Sequence, residues 1–195
     1  MGTSASQSSP RSGPFAINWA AVATGYVNAA VGIDRLIQEV WRAAQSEEST
    51  DWRALLKSPG VTFCLDAAAT ARTPEQALSG AGREISRARQ SSIASDVAKR
   101  ALVQGFLITD DARRGFPEAL FAEVTNYLVS RDLAGYVGER FRNRRVSEAM
   151  EFKDSIRAQV RREVSMLIEE VGLPQRGDKE GWERFVDATV TRLSS

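Results

Sequence analysis

Apolar residues along this chain recur at three- and four-residue spacing, the signature of helices that bury one face. The first such stripe holds Val27, Ala30, Val31, Ile37, Val40, Trp41 and Ala44. Pro14 suits the first turn of its helix, and the polar run Gln45 to Thr50 ends it. A short helix over about Asp51 to Lys57 follows, with Ser49 or Thr50 as its cap. Ser58-Pro59 opens another, running to about Arg72. Thr73-Pro74-Glu75-Gln76 is a strong start signal, with a threonine cap, proline at the first helical position and glutamine three residues on. The helix it opens is expected to reach about Ile108, with an interruption near Gly80 and Gly82.

Thr109-Asp110-Asp111 marks the next break, and Phe116-Pro117 is read as the start of a helix carrying Leu120, Phe121, Val124, Tyr127 and Leu128. Asp132 is expected to cap a shorter helix ending near Phe141. From about Ser147 a long helix presents Ala149, Phe152, Ile156, Val160, Val164, Leu167, Ile168 and Val171 on one face, closed by Gly172 and Pro174. Asp178 caps a last helix with Trp182, Phe185, Val186 and Val190. No run of alternating β-branched residues competes with this pattern. The expectation is an all-α fold: an irregular multi-helix bundle of about six to eight helices. Residues 14–195 would form one helical domain, preceded by a disordered, flexible Ser/Gly-rich tail over residues 1–13 that buries too little to offset its ordering.

Composition narrows the chemistry. The chain has 26 basic and 25 acidic residues and no histidine. A net charge of +1 gives no whole-protein field to recruit a polyanion. Without histidine, Ser-His-Asp and Cys-His nucleophile systems and Cys/His zinc sites cannot be built within this chain. No metal site, cofactor or catalytic set is expected, and the protein is read as a partner or substrate of others rather than an enzyme. One cysteine, Cys64, rules out an internal disulfide and fits a reducing, cytoplasmic compartment. It sits in the apolar stretch Val61 to Ala69, where a packed structural thiol is the expected role.

Phe15 to Ile33 runs nineteen residues without a charge, long enough to cross a bilayer. Asn18, Thr24, Gly25, Asn28 and Gly32 interrupt it, however, and buried amides are costly in hydrocarbon. The expectation is a buried helix and no membrane association, with membrane insertion or export as the alternative.

Two surfaces carry candidate chemistry. The segment Arg140 to Arg162 holds eight basic residues against three acidic ones. Arg140, Arg142, Arg144 and Arg145 lead it, and Lys153, Arg157 and Arg161 follow at four-residue spacing, so that they share a helical face able to track phosphates. Arg83, Arg87, Arg89, Lys99 and Arg100 form a weaker cluster. Against this stands a solvated face neutralised across the bundle by acids from Asp34 to Asp51 and from Glu163 to Asp187. The adjacent carboxylates Glu47-Glu48, Asp110-Asp111 and Glu169-Glu170 point in different directions on a helix and make no acid/base pair by adjacency. The other candidate is the start, Met1-Gly2-Thr3-Ser4-Ala5-Ser6, where methionine removal would expose an unobstructed glycine amine. The same residues match a loose myristoylation pattern, but no polybasic patch adjoins Gly2.

That start, followed by a Ser/Gly/Pro tail leading to Trp19, resembles the B component of bacterial Qat antiphage systems. So do Asn126-Tyr127-Leu128-Val129-Ser130-Arg131, continuing through Gly138-Glu139-Arg140, and the tryptophan-led closing helix Gly181-Trp182-Glu183-Arg184-Phe185-Val186. A glycine-rich stretch that follows the tryptophan in that family is missing here. The resemblance implies a setting with an ATPase, a QueC-like enzyme and a TatD-like nuclease as defence-system partners. It further implies that the QueC-like enzyme joins a deazaguanine to the amino-terminal glycine, here Gly2, presented by Thr3 and Ser4. Two other readings stay open: a basic helical subunit that lines nucleic acid in a larger complex, and a helical scaffold or adaptor with neither role.

Overall fold

The computed structural model describes residues 29–46, 50–137 and 146–195. Among the described residues there are eight helices and no strand: α1 (Ala29–Gln45), α2 (Trp52–Leu56), α3 (Pro59–Thr70), α4 (Pro74–Arg87), α5 (Ile93–Ile108), α6 (Ala112–Val137), α7 (Val146–Val171) and α8 (Lys179–Leu193). The fold is all-α, as the periodicity implies. The tail over residues 1–13, and the stretch Phe15 to Asn28, lie outside the described residues.

α3, α4 and α5 pack on one another, and α5 lies along α6, the most extensive helix pair among the described residues. α6 also contacts α1, α3 and α7, while α8 packs on α1, α2 and α7. The stripes read from the sequence are the surfaces that meet. Ile37, Val40, Trp41 and Ala44 of α1 are buried, as are Ile156, Val160, Val164, Leu167 and Ile168 of α7 and Trp182, Phe185, Val186 and Val190 of α8. Val171 is 59% exposed, because it is the last residue before the chain turns at Gly172. Gly172 has φ +79°, and its N–H closes the helix on the Ile168 carbonyl at 2.9 Å.

Four boundaries differ from the sequence expectation, each for a local reason. α2 is capped by Asp51, whose Oδ1 accepts from the Ala54 N–H at 3.0 Å, rather than by Ser49 or Thr50. α4 runs through Gly80 and Gly82 without a break and stops at Arg87. There the Gln90 N–H bonds the Ile85 carbonyl and the Arg89 N–H the Ser86 carbonyl, a Schellman closure with Arg89 in the left-handed position at φ 54°. Ser92 then starts α5 with a reciprocal cap, exchanging hydrogen bonds with Ser95. Arginine pays a steric cost at φ 54° that glycine does not. Arg89→Gly is therefore expected to raise stability by about 0.5–1 kcal/mol, read as a higher urea midpoint; a lower midpoint would refute the strain.

α6 begins at Ala112, not at Phe116-Pro117. Asp111 caps it, Oδ1 accepting from the Arg113 N–H at 3.0 Å and the carbonyl from the Gly115 N–H at 2.9 Å. Pro117 lies inside the helix, where its missing N–H leaves only the Arg113 carbonyl of the first turn without its intrahelical donor. The same helix continues past Asp132 to Val137, since a lone aspartate with no glycine or proline beside it does not stop a helix packed by Leu128 and Val129.

Candidate functional site

The basic face of α7 is the site that the sequence singled out and the structure describes in part. Lys153, Arg157 and Arg161 recur one turn apart on α7, next to the buried row Ile156, Val160 and Val164. All three are half-buried. Arg157 Nε lies 3.1 Å from Glu123 Oε1 of α6, a close ion contact without the direction of a hydrogen bond, and its Nη1 donates to Asp154 Oδ1 at 3.1 Å. Its charge is thus spent within the bundle. Arg161 keeps a buried Nε that has no hydrogen-bond partner. Arg140, Arg142, Arg144 and Arg145, the other members of the cluster, lie outside the described residues, as do Gly2, Thr3 and Ser4.

The acids that neutralise Arg157 are not those expected from the sequence. Glu163 and Glu170 go to Arg192, with Glu163 Oε2 and Glu170 Oε2 each 2.9 Å away. Glu169 pairs with Arg114 at 2.9 Å. Asp187 takes Lys57 at 2.8 Å and Arg53 at 3.4 Å. These hydrogen bonds raise the Arg114 pKa, chiefly through Glu169, and the Arg192 pKa, chiefly through Glu163. Glu169 and Glu170 thus serve different arginines, as neighbours on a helix must. In the second cluster Arg87 pairs with Glu84 at 3.2 Å and Lys99 with Asp96 at 2.8 Å, while Arg83 donates to Ser79 Oγ at 3.1 Å. Arg89 and Arg100 are exposed.

Cys64 lies in α3 with no exposed surface. Burial pushes its thiol up to about 12, against a smaller opposing pull from Lys99. A thiol of this kind is not a nucleophile at neutral pH. Because the folded pKa exceeds the ordinary value of 9.0, the stabilisation is complete below about pH 9 and is lost as pH rises through about 12. Native protein at pH 8 should leave Cys64 unreacted with Ellman's reagent and release it in urea. Wild type should also lose about 2 kcal/mol more than Cys64→Ala between pH 8 and roughly pH 10.5. Rapid native labelling would sink this account.

Asn126 to Arg131 of α6 and Gly181 to Val186 of α8 meet at α2. The Trp52 and Tyr127 rings lie 5.5 Å apart, and the Trp182 Nε1–H donates to the Leu56 carbonyl at 2.9 Å. Leu128, Val129, Phe185 and Val186 are buried around them, so these residues build the core rather than a reactive site. Among the described residues no group of three or more acidic or sulfur ligands is placed to hold a metal ion, and no helix is long and apolar enough to cross a membrane. No protein-family model, no curated protein and no solved structure matches the chain.

Sequence reasoning passed over one feature, a cleft between the end of α1, α2 and α8 bordered by Trp41 and Trp52. The two tryptophans flank the polar run 45–51, but nothing in their spacing signals that they share a cavity.

Proposed function

We propose that the chain is a non-enzymatic, cytoplasmic helical partner protein of a bacterial antiviral defence system. In this reading Gly2, exposed by methionine removal, is the group to which a QueC-like enzyme conjugates a deazaguanine. The observation that supports it is that the imidazole and thiol groups most used for nucleophilic catalysis near neutral pH are out of play. The chain has no histidine, and its one thiol is buried and held protonated. An α-amino group has an ordinary pKa of about 7.7–8.0, so part of it is neutral and nucleophilic near pH 7.5. The amine would attack the activated carboxyl carbon of the deazaguanine. An N–C amide bond forms as the activating group departs with a carboxyl oxygen, and the amine proton passes to solvent.

The rival nucleic-acid reading is weakened by the commitment of Arg157 to Glu123 and Asp154. It predicts a steep salt dependence of binding that Arg161→Gln and Lys153→Gln would flatten. The deciding experiment is intact mass spectrometry after co-expression with the neighbouring defence genes. A methionine-free chain carrying a nucleobase-sized addition on Gly2 is the expected result. Gly2→Pro should abolish the addition and leave helical content by circular dichroism unchanged. An unmodified terminus in the presence of an active QueC-like enzyme would overturn the proposal.

A further inference from the structure

The turn that joins α4 to α5 is basic and firmly held. α4 closes with the Gln90 N–H on the Ile85 carbonyl at 2.9 Å and the Arg89 N–H on the Ser86 carbonyl at 3.2 Å. α5 then starts on the reciprocal cap of Ser92 and Ser95, whose two bonds measure 2.8 and 3.1 Å. Between them the Gln90 carbonyl seats on α3, only 2.7 Å from where a Cβ on Gly60 would stand. On this frame Ser86, Arg87, Ala88, Arg89 and Ser91 are exposed, and Ile93 is 50% exposed.

Arg89 holds φ 54°, a conformation that suits glycine or asparagine better. Its side chain makes no hydrogen bond or ion pair among the described residues, so nothing there offsets the strain. Residues kept in such conformations cluster where a side chain meets a ligand or a partner. Arg87, two positions earlier, is 76% exposed. Its one acid, Glu84 at 3.2 Å, is also largely in water, so another carboxylate can replace it at little cost.

We propose that this turn is a docking surface for a short acidic segment of another protein, which sets carboxylates on Arg87 and Arg89 and an apolar side chain on Ile93. Guanidinium groups favour carboxylates and phosphates, which they bind through two parallel hydrogen bonds. Nucleic acid is the poorer fit of the two. No aromatic ring lies between Ser86 and Ile93 for a base to stack on, and a net charge of +1 gathers no polyanion. The half-exposed isoleucine suits a peptide side chain, not a phosphate backbone. A turn already fixed in place also lowers the ordering cost of binding. The inference stands apart from the modification of Gly2 and holds or fails without it.

The test uses the full chain labelled with ¹⁵N and two end-blocked peptides, Glu-Glu-Leu-Glu-Glu and Gln-Gln-Leu-Gln-Gln. The acidic peptide should move the amide signals of residues 86–93 in a saturable way that fades as salt is raised. Its glutamine counterpart should not. Arg89→Asn removes the charge and keeps a residue that tolerates the left-handed region. It should be at least as stable as wild type in urea, yet bind the acidic peptide about two- to five-fold more weakly. Arg87→Gln, a change within ordinary helix, should weaken binding by a similar factor and decides the matter if Arg89→Asn folds poorly. Unchanged affinity in the folded variants would overturn the proposal, because the strained arginine would then serve no partner. Signals of residues 86–93 that stay still, or that move equally with both peptides, would overturn it too. An oligo-dT of about twelve nucleotides that moves the same signals at lower concentration than the acidic peptide would assign the turn to nucleic acid instead.

Discussion

A Trp182→Ala chain is expected to lose about 3–5 kcal/mol of stability, the usual cost of truncating a buried tryptophan. The side chain is 1% exposed and stacks on Phe185 with ring centroids 5.7 Å apart. It also holds α2. Five residues are too few to form a helix alone in water, and α2 survives through its anchors: the Asp51 cap, the Trp52–Tyr127 contact, the pairing of Arg53 and Lys57 with Asp187, and the indole bond to the Leu56 carbonyl. Two of these anchors, Trp182 and Asp187, come from α8. Trp182→Phe keeps most of the ring volume and should lose less, about 1–2 kcal/mol from the hydrogen bond and the smaller ring. Urea unfolding followed by circular dichroism orders the three proteins. If Trp182→Ala lost no more than Trp182→Phe, the anchoring role of the packed ring would be refuted.

Gly115→Ala should cost about 2–3 kcal/mol by overpacking, although alanine is the better helix former. An alanine Cβ at 115 would sit on the carbonyl oxygen of Gly105 and 2.8 Å from Thr109 Cγ2. A Cβ at 105 would in turn meet the Phe116 amide nitrogen at 2.8 Å. Backbone meets backbone here, so α5 and α6 must separate to admit a methyl group, which loosens the largest helix contact among the described residues. Gly80 and Gly82 supply the internal control. Each lies inside α4 with nothing within 4 Å of a built Cβ. Gly80→Ala should therefore stabilise by about 0.5–1 kcal/mol through propensity alone. The same exchange is expected to change sign between the two helices. Thermal melts that shift in the same direction for both would refute the close approach at Gly105 and Gly115.

Those glycines show where sequence reading reaches its limit. Gly80 and Gly82 look like helix breakers, and Gly105 and Gly115 carry no stronger signal, yet only the latter pair is constrained. The difference is whether another backbone passes within contact distance, and residue identity does not encode that. Arg89 shows the same limit. A helix closure normally advertised by glycine is filled here by arginine, so the end of α4 left no mark, and the boundary with α5 was signalled only by the serine cap at Ser92. At α6 the cap Asp111 and the helix-start residue Pro117 competed, and the cap prevailed because one missing first-turn hydrogen bond costs little once Gly115 is locked against Gly105.

The basic stretch of α7 was legible as a row of charges, but its role was not. Lys153, Arg157 and Arg161 share a face by helical geometry alone. That Arg157 faces Glu123 across a helix seam depends on how α6 and α7 are placed. The cleft beside Trp52 is less legible still, since its lining is assembled from α1, α2 and α8.

Local chemistry was enough for the all-α class, the buried faces of α1, α7 and α8, and the caps at Thr73 and Asp178. Helical periodicity and capping hydrogen bonds act over a few residues. Tertiary structure decided which carboxylate neutralises which arginine and which glycines are irreplaceable. These are contacts between residues far apart in the chain, such as Trp182 with Leu56 and Arg157 with Glu123, and they exist only once the helices have been packed.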